Sequence, residues 1–198
     1  HNSILNQLNK SLEKHIAKNA KLTLLASEFS KVETAFVGNQ KSIDDFIGWL
    51  KEISGLLNSD NWAGEDVMAI FFNEFNRYKT KSEQGQVFTP DHITGFMARL
   101  VDLNEDDKVL DAACGSGAFL VKAMNIMIEK SGGIGSNKEV SIKQKQLFGI
   151  EKDKEIFALA AANMLLHKDG KTNLALLDSR YEDAGDWIKS KPITKVLM

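Results

Sequence analysis

Three carboxylates and two glycines are the residues of this sequence whose types and spacing could do chemistry. Asp111 closes the apolar run KVLD and is followed by AACGSGAF, which puts Gly115 and Gly117 in a turn between a strand-like run and a helical pattern. Glu151 closes QLFGIE, and Asp178 closes TNLALLD. A glycine turn between strand and helix lets a ligand approach the backbone, because no Cβ stands in the way. Ionised carboxylates accept hydrogen bonds from hydroxyls and amines and repel phosphates. The dinucleotide version of such a turn is G-x-G-x-x-G. Gly115 and Gly117 fill its first two glycine positions, but Leu120 stands at the third. The Gly-Lys-Ser/Thr of a phosphate-binding P-loop is absent. The ligand that suits these residues carries ribose hydroxyls, an amino group and little negative charge. S-adenosylmethionine meets that description. A single acid at a strand end is more often a solvated helix cap; three at successive strand ends beside a G-x-G turn outweigh that reading.

The elements around these residues alternate. KVLDAA (108–113) reads as a buried strand and Ala118 to Lys130 as a helix, followed by a polar loop over 131–145. QLFGIE (146–151) is a second strand and Lys154 to His167 a second helix. TNLALLD (172–178) is a third strand, Ala184 to Lys189 a short helix and ITKVLM a fourth strand. Strand and helix in alternation at this spacing predict an α/β fold with a parallel sheet and right-handed crossovers. Ligands of such sheets bind at the carboxyl ends of the strands.

Residues 1–80 read instead as an all-α segment. Leu22, Leu25, Phe29, Val32 and Phe36 recur at helical steps; Ile43, Phe46, Ile47, Leu50, Ile53 and Leu57 form a second apolar face; Val67, Ile70, Phe71, Phe75 and Tyr78 form a third. Ser42 with Asp45 three positions on resembles a capping box at the start of the second of these helices. The polar stretch KTKSEQGQVFT (79–89) breaks the pattern, so the expected domains are 1–80 and 81–198. Thr89 and Pro90 then suit an N-cap followed by proline at the first helical position.

The chain of 198 residues has a formal net charge of −2. A free-standing nucleic-acid binder usually carries a basic excess, so any phosphate contacts should come mostly from other parts or subunits. Cys114 is the one cysteine, which leaves no internal disulfide and fits a cytoplasmic protein. Its expected role is space-filling, since no base stands near it in sequence. The nearly apolar stretch 156–166 is too short to span a membrane and contains Asn163. No signal peptide and no metal-ligand spacing are visible; His92 and His167 are expected on helix surfaces, and His15 has no evident partner.

Taken together, GQVFTPDHITGFM (85–97), VLDAACGSGAFLVKAM (109–124) and FGIEKD (148–153) resemble the γ-type adenine-N6 DNA methyltransferases. Within them the sequence looks like the modification subunit of type I restriction-modification systems. The resemblance covers roughly residues 65–198, and the order of its motifs is more specific than G-x-G alone. It implies a Rossmann-like class I methyltransferase sheet, incomplete in this sequence, behind the helical segment. It also implies S-adenosylmethionine as cofactor, with Gly85, Gln86, Val87, Phe88, Thr89 and Pro90 wrapping its methionine end. Asp111, Gly115, Ser116 and Gly117 would form the pocket floor, Glu151 would hold the ribose hydroxyls and Asp178 would face the adenine amine. Implied partners are DNA, through the complete enzyme, and a specificity subunit, with a restriction subunit as a further candidate and no membrane. The family's catalytic Asn-Pro-Pro-aromatic motif would begin beyond Met198, so no catalytic residue is assigned in this sequence, which should carry the cofactor-binding part and be inactive alone. The same pocket leaves open a methyltransferase acting on RNA or on protein glutamine, and a non-catalytic scaffold in which residues 1–80 bind a partner.

Overall fold

The computed structural model describes residues 40–57, 89–169 and 173–198, with Lys10 and Ile70 as single positions. The chain divides into two compact units, His1–Trp62 and Ala63–Met198. Residue 80, where the sequence suggests a boundary, lies outside the described residues, as do the helices read before Gln40 and the face from Val67 to Tyr78, Ile70 excepted. In the first unit, helix α1 spans Gln40–Leu57. It starts two residues ahead of Ser42, so Ser42 is not its N-cap. Gln40 and Lys41 are both good helix formers and extend the helix upstream.

The second unit is α/β. Its helices are α2 (Asp91–Leu100), α3 (Ala118–Lys130), α4 (Glu139–Lys145), α5 (Lys154–Leu166) and α6 (Glu182–Lys189). Its strands β1 (Val109–Asp111), β2 (Leu147–Glu151), β3 (Asn173–Leu176) and β4 (Lys195–Leu197) form one sheet in the order β3–β2–β1–β4. All three pairings are parallel. Every residue of β1 and β2 is buried, as expected for central strands covered on both faces. After β3 the chain crosses to the far side of β1, where β4 pairs. The strand order therefore reverses beside β1, the place where open α/β sheets leave a crevice for ligands.

Three local expectations are corrected. Helix α2 begins at Asp91, with Pro90 outside it at φ −58° and ψ 143°. The Pro90 carbonyl accepts from the Ile93 and Thr94 N–H groups. Pro90 is thus the N-cap rather than the first helical residue, and Thr89 is not the cap. The stretch 131–145 is not all loop, because α4 occupies its second half. Ile142 is fully buried and anchors that helix, while the Glu139 carboxylate accepts from Gly135 N–H and pairs with Lys143 one turn on. Glu139 at the start and Lys143 and Lys145 at the end also suit the helix dipole. Helix α6 starts at Glu182, ahead of Ala184, with two acids in its first turn, where the dipole favours them.

Helix α3 settles on the sheet over Gly149 of β2. A Cβ built there would stand 2.6 Å from Leu174 Cδ2, 2.9 Å from Leu120 Cδ1 and 3.0 Å from Cys114 Sγ. All three neighbours are buried and cannot swing away. Gly149→Ala should therefore lower unfolding stability by roughly 1–3 kcal/mol, a cost typical of overpacking. Urea denaturation of the two proteins reads this directly, and equal midpoints would show that the layers can part without penalty.

Candidate functional site

The turn after β1 is tied to β2. Cys114 N–H donates to the Ile150 carbonyl at 2.9 Å, and Gly117 N–H donates back to the Cys114 carbonyl at 2.7 Å. Gly117 has φ +88° and Gly115 φ +54°, a left-handed backbone that a side chain would strain. Gly117 is also the N-cap of α3, so the turn delivers the chain straight into the helix. No heavy atom lies within 4 Å of where a Gly115 Cβ would stand.

Glu151 at the end of β2 links three backbone groups. Its Oε2 accepts from Gly115 N–H at 3.1 Å, and its Oε1 accepts from the Lys152 and Asp153 N–H groups at 2.8 and 2.9 Å. A carboxylate offers about four lone-pair positions, so one remains, on Oε2. Asp153 in turn caps α5 by accepting from the Glu155 and Ile156 N–H groups.

Asp111 at the end of β1 is 1% exposed. Its Oδ1 accepts from Ala113 N–H at 3.1 Å, while its buried Oδ2 accepts no hydrogen bond. Burial pushes this carboxyl up to about 7; the Ala113 N–H bond opposes that rise and the nearby Glu151 charge adds to it. Cys114 is buried beside them. Loss of solvent, then the two carboxylate charges, raise its thiol well above the usual range, so it stays protonated and is no nucleophile.

Asp178 lies two residues past the end of β3 rather than on it. Its Oδ1 accepts from Arg180 N–H and from Arg180 Nε at 2.9 Å, and its Oδ2 accepts from Arg180 Nη2. Those bonds from the Arg180 side chain, then its backbone N–H, hold the Asp178 carboxyl down at about 2.

These ends of β1, β2 and β3 enclose a cavity of about 540 Å³, within the range of roughly 300–1,000 Å³ usual for small-molecule sites. Of the residues singled out in the sequence, Thr89, Gly115, Ser116, Glu151 and Asp178 line it. Asp111 and Gly117 are buried and form no part of the wall. Pro90 caps α2, and Gly85, Gln86, Val87 and Phe88 lie outside the described residues. Sequence reasoning missed Phe119, Lys152 and Arg180 in the wall. Phe119 was legible only as a core residue of α3. Arg180 carried a usable signal: it stands two positions after the acid, within reach of a local ion pair.

A family model described as N-6 DNA Methylase matches residues 64–190. The type II restriction enzyme and methyltransferase RM.BcgI of Heyndrickxia coagulans is 43% identical over 111 residues, which are 55% of this chain and 17% of that protein. The type I restriction enzyme EcoEI methylase subunit of Escherichia coli is 25% identical over 122 residues, 60% of this chain and 24% of that subunit. The chain therefore spans less than a quarter of the length of these relatives. A solved structure described as "Structural basis underlying complex assembly and conformational transition of the type I R-M system" superposes with a TM-score of 0.56 at 21% identity, over 86% of this chain and 37% of that one. That likeness concerns the fold.

Proposed function

Because the chain belongs to the N-6 DNA methylase family, whose chemistry needs a methyl donor, we propose that its cavity binds S-adenosylmethionine and that it is the cofactor-binding part of an adenine-N6 DNA methyltransferase in a restriction-modification system. The observation that carries this reading is the cavity rimmed by Glu151, Asp178 and the bare Gly115 turn. The residues present fit the cofactor. Its ribose hydroxyls and amines are donors and its sulfonium is a cation, and the wall meets them with acceptors. The remaining lone pair on Glu151 Oε2 receives a ribose hydroxyl. Gly115 leaves open space at the turn, and Asp178 faces the adenine amine. A pyrophosphate would instead meet carboxylates.

When bound, S-adenosylmethionine supplies an electrophilic methyl group. The chain's own residues hold and orient it: Glu151 and the turn on the ribose side, Thr89 and the stretch Gly85–Pro90 toward the methionine end. DNA and a specificity subunit are the proposed partners, the first from the family's description and the second from the sequence's resemblance to type I modification subunits, with residues 1–80 as the proposed helical docking domain. Deleting the gene for this protein should erase N6-methyladenine from one sequence motif of the host genome. An unchanged set of methylated adenines would contradict the reading.

Arg180 gives a second test of the site. It bonds both oxygens of Asp178 and leaves one lone pair, on Oδ2, so it competes with an adenine amine for that carboxylate. Exposed ion pairs hold weakly, so Arg180→Ala should tighten S-adenosylmethionine binding by up to about fivefold. Weaker binding on calorimetric titration would make Arg180 a ligand contact rather than a competitor.

A further inference from the structure

Helix α5 is apolar nearly all round, and its sequence KEIFALAAANMLL carries one uncharged polar side chain, Asn163. Asparagine is a poor helix former, and its amide is costly to bury unless it is hydrogen-bonded. Asn163 is nevertheless 0% exposed. Its Nδ2 donates to the carbonyl of Ser116 at 3.0 Å, across 47 positions of sequence. That carbonyl belongs to the peptide between Ser116, in the cavity wall, and Gly117, at φ +88°. The next residue of α5, Met164, stands against the same glycine, with Sδ 3.6 Å from where a Gly117 Cβ would be. Two further bonds of the turn, from Cys114 N–H to the Ile150 carbonyl and from Gly115 N–H to Glu151, reach β2. The turn is thus held by the sheet on one side and by two consecutive residues of α5 on the other.

We propose that Asn163 is a positioning residue for the cofactor turn: its amide fixes the Ser116–Gly117 peptide and thereby the backbone that S-adenosylmethionine approaches. The inference rests on the proposed cofactor, but the bracing itself can be read without any ligand. A leucine would fill the same space in an apolar helix and bury more favourably. What asparagine adds is a donor aimed at one carbonyl.

The test compares Asn163→Leu and Asn163→Ala, which both lose the amide donor, with Ile142→Ala, a core deletion on α4 away from the cavity. Amide hydrogen exchange of residues 114–118 is followed together with global unfolding and S-adenosylmethionine titration. Exchange at the turn should speed up by about tenfold or more in the Asn163 variants, the effect of losing one buried hydrogen bond. It should do so beyond what their global stability accounts for, whereas Ile142→Ala should change the turn only in step with its global stability. Cofactor affinity should fall about tenfold with the loss of bracing. Turn exchange that merely follows global stability in a folded variant would overturn the proposal. If the turn loosens but the parent protein binds no S-adenosylmethionine, the cofactor reading fails and the bracing stands. If the leucine variant does not fold, Asn163→Ala, which adds no bulk, decides the matter.

Discussion

Glu151→Ala should weaken S-adenosylmethionine binding by roughly 1–3 kcal/mol, the range for losing a charge-assisted acceptor. The loss has two sources. One is the lone pair on Oε2 that receives the ribose hydroxyl. The other is the support of the turn, because Gly115, Lys152 and Asp153 N–H groups all donate to this carboxylate. Glu151→Gln separates them. It keeps the shape and one carbonyl acceptor, so the folded variant should lose less affinity than the alanine. Calorimetric titration of both variants, with circular dichroism to establish folding, makes the comparison. Unchanged affinity in a folded Glu151→Ala protein would remove Glu151 from the ribose.

Asp111 should make stability depend on pH. The folded protein keeps the Asp111 proton up to a pH of about 7, against 3.8 for an unburied aspartate. Between those values the native state binds more protons at this site than the unfolded chain does. Its contribution to stability is therefore fully present at the acid end, falls as pH rises through that window and levels off above it. The full swing is at most about 4 kcal/mol, from about three pKa units at 1.36 kcal/mol each. Asp111→Asn removes the proton, so the variant should gain on the parent by up to that amount between pH 4 and pH 8. Urea unfolding at several pH values measures the difference between the two proteins, which cancels the other titrating groups. A difference that does not vary with pH would show that Asp111 is ionised throughout.

The sheet was legible in the sequence because its strands are short apolar runs ending in acids, and parallel burial makes such runs continuous. KVLD, QLFGIE and TNLALLD fall on β1, β2 and β3, with ends displaced by one or two residues. The carboxylates were legible as a set, since a period-breaking acid after an apolar run marks a strand end. Their states were not. Asp111 is sealed away while Asp178 is held by Arg180, and that difference comes from tertiary burial and from a side chain two residues on. Helix α4 escaped notice because glycines and lysines surround its one buried anchor, Ile142. Asn163 was visible as a polar interruption in an apolar helix, but the carbonyl it serves lies on another element. The likeness of GQVFTP to a cofactor-wrapping motif came from family resemblance alone; of that stretch the structure describes Thr89 and Pro90, and Thr89 does line the cavity.

The cavity at the ends of β1, β2 and β3 should take a cationic adenine nucleoside and not a dinucleotide. Isothermal titration of the protein with S-adenosylmethionine, and in parallel with NAD, tests it most directly, with a thermal melt to establish a cooperative fold. Saturable binding of S-adenosylmethionine and none of NAD is the expected result. A folded protein that binds NAD, or neither ligand, would contradict it.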